Sequence, residues 1–338
     1  MAVRIGYHCS HEQYAPGALL RLVRRAEAAG FECAMCSDHF FPWSEAEGES
    51  GFAWSWLGAA LQATALPFGV VTVPGGWRYH PAVLAQAGAT LAEMFPGRFW
   101  MAVGSGERLN EHVAGAHWPP KDERNARLRE GVDVMRALWA GETVTHRGRL
   151  TVEDAKLYTL PAEPPKLIGA ALSPETAEWA GGWADGLITV VGEREGMREI
   201  VDAFRRGGGE GKPLYLQAQL SFGKTDAEAL EAAWRQWRAA MFPSPVLAEL
   251  KLPAEFDAAG EYVRKDDVAR KMRVSADPER HLEWLLGDLE LGFEEIDLHC
   301  VNRGDQERFI HVFGERVLPE LRVTRRDRII RCDSMDRA

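Results

Sequence analysis

The sequence predicts an α/β fold in which eight parallel strands close into a (β/α)₈ TIM barrel with insertion segments. Three observations predict it. Short β-rich runs alternate with helical stretches eight times along the 338 residues. The runs are apolar and mostly lack a polar-apolar alternation, as strands do when both faces of the sheet are covered. The length suits one barrel of eight βα units carrying insertions. An open doubly wound sheet is the structural alternative, and closure is the simpler solution for eight strands.

The elements follow in order. The first strand is expected at residues 3–7, and Pro16 opens a helix that Gly30 stops. Residues 31–36 form the second strand and 54–63 its helix. The third unit is 68–73 with the helix 81–95, and the fourth is 99–103 with 125–140. The fifth strand, 167–171, is followed by a helix beginning at Ser173-Pro174; the sixth, 187–191, precedes 196–206. The seventh strand spans 214–222, before helices at 227–241 and 278–291. The eighth is 295–300, and 306–321 closes the ring. Segments 143–163 and 243–275 read as insertions, the second rich in charge and proline. One barrel domain is therefore expected over 1–322, with a charged tail at 323–338.

Bulk properties narrow the function. Apolar residues make up 46% and charged residues 27%, a soluble globular balance. A formal net charge of −10 disfavours nucleic acid or an anionic membrane as the main partner, since both need a basic face. There is no apolar run long enough to span a bilayer and no signal-peptide core at the start. With five irregularly spaced cysteines, a reduced, cytoplasmic protein is expected. Twelve tryptophans are many for one chain, and Trp often walls aromatic-binding pockets.

Barrel enzymes carry their chemistry just past the C-terminal ends of the strands. There the sequence places His8, Ser10 and His11, then Asp38, His39 and Trp43, then Thr72. Gly104-Ser105-Gly106-Glu107 and Asn110 follow the fourth strand, and Ser173 the fifth. Gln217, Gln219 and Ser221 alternate along the seventh, and His299 and Asn302 end the eighth. A His beside carboxylates can transfer protons near neutral pH. Gly104-x-Gly106 lacks the third glycine and the acidic partner of a dinucleotide-binding fingerprint. Cys33 and Cys36 lie three apart on a strand, so they face opposite sides and are read as buried apolar groups rather than ligands.

Two of these stretches are specific. Ser37-Asp38-His39-Phe40-Phe41-Pro42-Trp43 and Gly104-Ser105-Gly106-Glu107-Arg108-Leu109-Asn110-Glu111 resemble signatures of the coenzyme F420-dependent glucose-6-phosphate dehydrogenases of the luciferase-like superfamily. Arg78-Tyr79-His80-Pro81-Ala82, Phe95-Pro96-Gly97-Arg98, Leu128-Arg129-Glu130 and Ala184-Asp185-Gly186 support the resemblance, which runs from about residue 3 to about 322. It implies a luciferase-like barrel, an oxidoreductase and a homodimer. It implies that His39, Trp43 and Glu107 line the hydride-transfer site. Asp38 and Asn110 would contact the coenzyme, together with Thr72, Ser105, Gly106 and Ser173 at the neighbouring strand ends.

The departures matter as well. The family's Gly-Gly after the fifth strand is here Gly169-Ala170-Ala171-Leu172-Ser173. Glu193 stands where the family has a phosphate-binding lysine, and a second such lysine is missing near 257–259. The third strand ends Val71-Thr72-Val73-Pro74, without the usual hydroxyl pattern. A carboxylate repels a sugar phosphate, so glucose 6-phosphate is not the expected substrate. The chain looks closer to a sister branch that uses an ordinary flavin, which makes FMN the first expectation and F420 the second. A small organic substrate is expected, without nucleic acid, membrane or metal. The alternatives are an F420-dependent dehydrogenase, a flavin monooxygenase, a metal-dependent barrel hydrolase using His8, His11, His39 and His299, and a coenzyme carrier without catalysis.

Overall fold

Proline and glycine punctuate the chain at its element boundaries. Pro16, Pro81, Pro174 and Pro278 each sit in the first turn of a helix, where the missing N–H has no intrahelical partner to lose. Gly30, at φ 98°, ends the helix Pro16–Ala29 in the left-handed conformation that other residues avoid. Ser173 and Thr225 accept the backbone N–H of Thr176 and Glu228, capping the helices Pro174–Gly181 and Asp226–Trp237.

The computed structural model describes residues 3–322. Its barrel strands are β1 (Arg4–Cys9), β2 (Cys33–Ser37), β3 (Phe68–Thr72), β4 (Phe99–Val103), β5 (Lys166–Ala170), β6 (Gly186–Val190), β7 (Leu214–Phe222) and β8 (Glu295–Cys300). They pair in parallel in chain order, and β8 returns to β1, closing the ring. A short strand, Arg273–Ser275, adds to β7 from outside the ring. The sequence expectation of a closed (β/α)₈ barrel therefore holds.

Boundaries shift where pairing or polar turns decide them. β1 runs on to Cys9 because Cys9 stays in register with Cys36 of β2, which makes His8 part of the barrel wall. The helix expected from 125 begins at Lys121, its first turn being polar and carrying Asp122 and Glu123, favourable at a helix N-terminus but silent in apolar periodicity. Residues 144–155 form an antiparallel hairpin, Val144–Arg147 against Thr151–Ala155. Between β7 and β8 lie the short helices Ser244–Leu247, Pro253–Gly260 and Lys265–Lys271. The charged tail expected at 323–338 lies outside the described residues. Among the described residues, no helix is long and apolar enough to cross a membrane.

Strand alternation separates two cores. Outward residues such as Ile5, Tyr7, Cys36, Val70, Met101 and Leu298 pack under the helices. Inward residues Met35, Trp100, Ala102, Ile168, Ile188 and Tyr215 fill the barrel. Large and small groups complement each other: a Cβ at Gly69 would come within 2.0 Å of the Trp100 ring. Lower in the barrel, Arg4 pairs with Glu295 at 2.6 Å, and Trp100 Nε1 donates to Glu295 at 3.1 Å.

Asp297 lies beside this pair, fully buried, and neither carboxylate oxygen has a hydrogen-bond partner. Burial pushes its carboxyl well above the ordinary value, and Glu295 pushes the same way against the pull of Arg4. A carboxyl raised on folding binds more protons folded than unfolded, so it removes stability as pH climbs from the ordinary carboxylate value upward. Asp297→Asn keeps the shape and removes the charge. The variant should melt a few degrees above the parent at pH 8, with the difference closing near pH 4. Thermal unfolding across that range checks it.

Candidate active site

The C-terminal ends of the strands enclose a pocket of about 870 Å³. That volume suits a coenzyme ring together with a small molecule. Met35, Val71, Ala170 and Ile188 give it an apolar floor.

His39 projects into this pocket from the loop after β2. Its Nδ1 lies 3.2 Å from Glu12 Oε1, and its Nε2 lies 4.0 Å from Glu107 Oε2. The Glu12 contact is not aligned as a hydrogen bond, so the pairing is electrostatic. Glu12 also accepts the hydroxyls of Ser10 and Ser37. Burial alone would raise the Glu12 carboxyl, but His39 and the Ser37 hydroxyl outweigh it and leave it below the ordinary value. Burial raises Glu107, against the pull of His39 and with a push from Glu12. One carboxylate stays ionised and the other is biased toward its acid form, on either side of one imidazole.

Trp43 forms the adjoining wall, its ring 5.3 Å from that of His39. Its backbone N–H donates to Glu47 Oε2 at 2.7 Å, and Phe256 of the helix Pro253–Gly260 props its ring edge-on at 5.3 Å. The loop carrying both rings is clamped from two directions. Asn110 Oδ1 accepts the N–H groups of Phe40 and Phe41 at 2.8 and 3.3 Å. Asp38 accepts from Trp54 Nε1 at 3.1 Å, Thr72 Oγ1 at 2.8 Å, Tyr79 OH at 3.0 Å and Arg78 at 3.3 Å. Arg78 in turn pairs with the buried Glu111, whose carboxyl burial pushes up to about 7 against the pull of Arg78.

Asp38, His39, Trp43, Thr72, Ser105, Gly106, Glu107 and Asn110, all expected from the sequence, line this one pocket. Several of them also hold the loop in place. The oxygens of Asp38 and Asn110 and the hydroxyl of Thr72 hold the loop through these bonds, while all three residues remain in the pocket lining. Ser173 is not in the lining. Its hydroxyl caps the helix it begins, and Thr176, three residues on, lines the pocket instead.

Sequence reasoning passed over Glu12, Lys121, Arg124 and Trp237, all in the lining. Glu12 directly follows the noted Ser10 and His11, and Pro119-Pro120 before Lys121 marks a helix start. The hydrolase alternative finds little support. His8 pairs with His299, ring centroids 4.3 Å apart, while His11 packs edge-on against Trp56 at 4.9 Å. Among the described residues, the group close enough to share an ion is Cys33, Glu295 and Asp297, deep in the barrel, where Arg4 and Trp100 already occupy Glu295.

Asn110→Ala should leave the Phe40 and Phe41 amides without acceptors. A loss of roughly 1–3 kcal/mol is expected, with faster hydrogen exchange confined to the 38–43 loop. Denaturant unfolding and amide exchange by mass spectrometry check it.

Comparison with known proteins fits this geometry. Residues 3–295 match the model of the family described as luciferase-like monooxygenase. A protein from Beutenbergia cavernae named F420-dependent glucose-6-phosphate dehydrogenase is 36% identical over 334 residues, covering 96% of this chain and 99% of that protein. One of the same name from Nakamurella multipartita is 36% identical over 330 residues, covering 95% and 97%. The solved structure of an F420-dependent secondary alcohol dehydrogenase in complex with an F420-acetone adduct superposes with a TM-score of 0.87 at 31% identity, covering 95% of this chain and 99% of that one. The chain belongs to the luciferase-like monooxygenase family.

Proposed function

We propose that this chain is an oxidoreductase that transfers hydride between coenzyme F420 and a small alcohol or its carbonyl counterpart. The observation that carries this reading is His39 held between Glu12 and Glu107 on the wall of one apolar-floored pocket. The names of the relatives favour F420 over FMN, reversing the order expected from the sequence departures.

The residues fit such a coenzyme. A Cβ at Gly192 would meet nothing within 4 Å, and one at Gly104 would meet Ala170 Cβ at 3.6 Å, so both glycines leave open space in the lining. Met35, Val71, Ala170 and Ile188 would lie under a planar ring. Lys121, exposed in the lining on the helix after β4, is a cation suited to an anionic group of the F420 tail, and Arg124 beside it is buried and paired with Glu249. When bound, F420 supplies a two-electron hydride acceptor or donor.

The protein's share of the reaction is proton handling and placement. His39 takes the substrate hydroxyl proton at Nε2, with Glu12 at its other nitrogen. Glu107 lies 4.0 Å from that Nε2, within reach of a proton passing to or from it. Trp43, propped by Phe256, excludes water from this corner. Glu193 also lines the pocket. Its carboxylate repels a phosphate placed beside it, which supports a substrate other than glucose 6-phosphate despite the relatives' names.

Fluorescence titration of the purified protein should show F420 binding at least about 100-fold more tightly than FMN. The reverse order would restore the flavin reading. His39→Ala and Glu107→Gln should each lower kcat by about 10²–10⁴-fold while F420 affinity changes little. Normal turnover in both variants would remove their catalytic assignment.

A further inference from the structure

The two sides of the pocket lining carry different polar groups. Near β4 and β5 its lining carries Lys121 and Arg124, the latter paired with Glu249 at 3.0 Å. The opposite arm, between β6 and β1, presents Glu193, Gln217, Gln219, His8, His299 and Trp237. Lys271 also reaches the lining, exposed, with one N–H of its ammonium donated to the Met241 carbonyl at 3.0 Å. Burial pushes both histidines down, His299 to about 3, so each stands neutral near pH 7.

The two glutamines occupy alternate positions of β7 and face the same way, into the barrel mouth. Both are half-buried. Gln219 has no hydrogen-bond partner for its amide among the described residues, and Gln217 has one long contact, Nε2 to His8 Nε2 at 3.5 Å. Behind them His299 pairs with Gln13 at 3.1 Å and packs against the edge of Trp237 at 4.8 Å. Glu193 apart, the arm therefore offers neutral donors and acceptors beside flat aromatic surface.

Resting on the hydride-transfer reading above, we propose that this arm takes an uncharged, multiply hydroxylated substrate, a free sugar or cyclic polyol, read by the Gln217 and Gln219 amides. A hydroxyl is donor and acceptor at once, and so is each amide. A bare hydrocarbon would desolvate those amides without pairing them. A phosphate ester would bring its charge against Glu193. The C–H face of a ring suits the indoles of Trp43 and Trp237. In the oxidation the carbinol C–H leaves as hydride to the coenzyme, the O–H proton goes to His39, and the product is a ketone or lactone.

The test is steady-state kinetics of the F420-loaded enzyme with glucose, inositol, glucose 6-phosphate and cyclohexanol. Glucose or inositol should exceed both of the others in kcat/KM, and glucose 6-phosphate by about 100-fold. Gln217→Leu and Gln219→Leu should each raise KM for the preferred polyol by about tenfold. Neither should move kcat appreciably or alter F420 binding, which is read by fluorescence and also reports folding. Glu193→Lys should narrow the gap between sugar and sugar phosphate. A preference for glucose 6-phosphate or for cyclohexanol sinks the proposal while leaving the F420 reading intact, as does an unchanged KM in both glutamine variants. Absence of F420 binding removes the reading on which it rests.

Discussion

Trp54, Thr72 and the neighbouring Arg78 and Tyr79 come from three places in the chain and donate to a single buried carboxylate, that of Asp38. Asp38 follows β2 directly, so this junction fixes where the next five residues begin. A charged acceptor in a dry setting is strongly favoured by such donors and disfavoured without them. The loop therefore has one stable arrangement, in which His39 falls between Glu12 and Glu107 and Trp43 falls against Phe256. Remove the junction and this wall of the pocket loses its reference point, although the barrel beneath would still close.

The barrel was legible because its strands are continuous apolar runs and its helices are bracketed by proline and glycine. Both signals are local, and both survive without knowledge of neighbours. What escaped was set by neighbours. Cys9 extends β1 through its register with Cys36, which no property of residues 8 and 9 alone announces. The polar first turn at Lys121 carries no apolar period to mark it. The inner layer was also hidden, because Gly6 and Gly69 matter through what fills the space beside them, Asp297 and Trp100.

For the site, position in the chain told more than role. The rule that chemistry gathers past strand ends found the residues around the pocket, and the resemblance supplied a use for each. Hydrogen bonding adds a structural part for some of them. Asp38, Asn110 and Thr72 hold the loop from within the lining, and Ser173 caps its own helix. Glu12 was overlooked as one more polar residue beside His11, yet it stands closest to His39 of the two flanking carboxylates. Such contacts depend on distances between residues remote in sequence, Glu12 and His39 among them.

Phe256 belongs to a segment spliced between β7 and β8, outside the alternating framework. Its ring nevertheless sets the tilt of an indole that belongs to the second unit. One wall of the pocket thus depends on a segment outside the βα units that supply its floor. A change in that segment would alter the Trp43 side of the pocket while leaving its apolar floor, built on the strands, as it is.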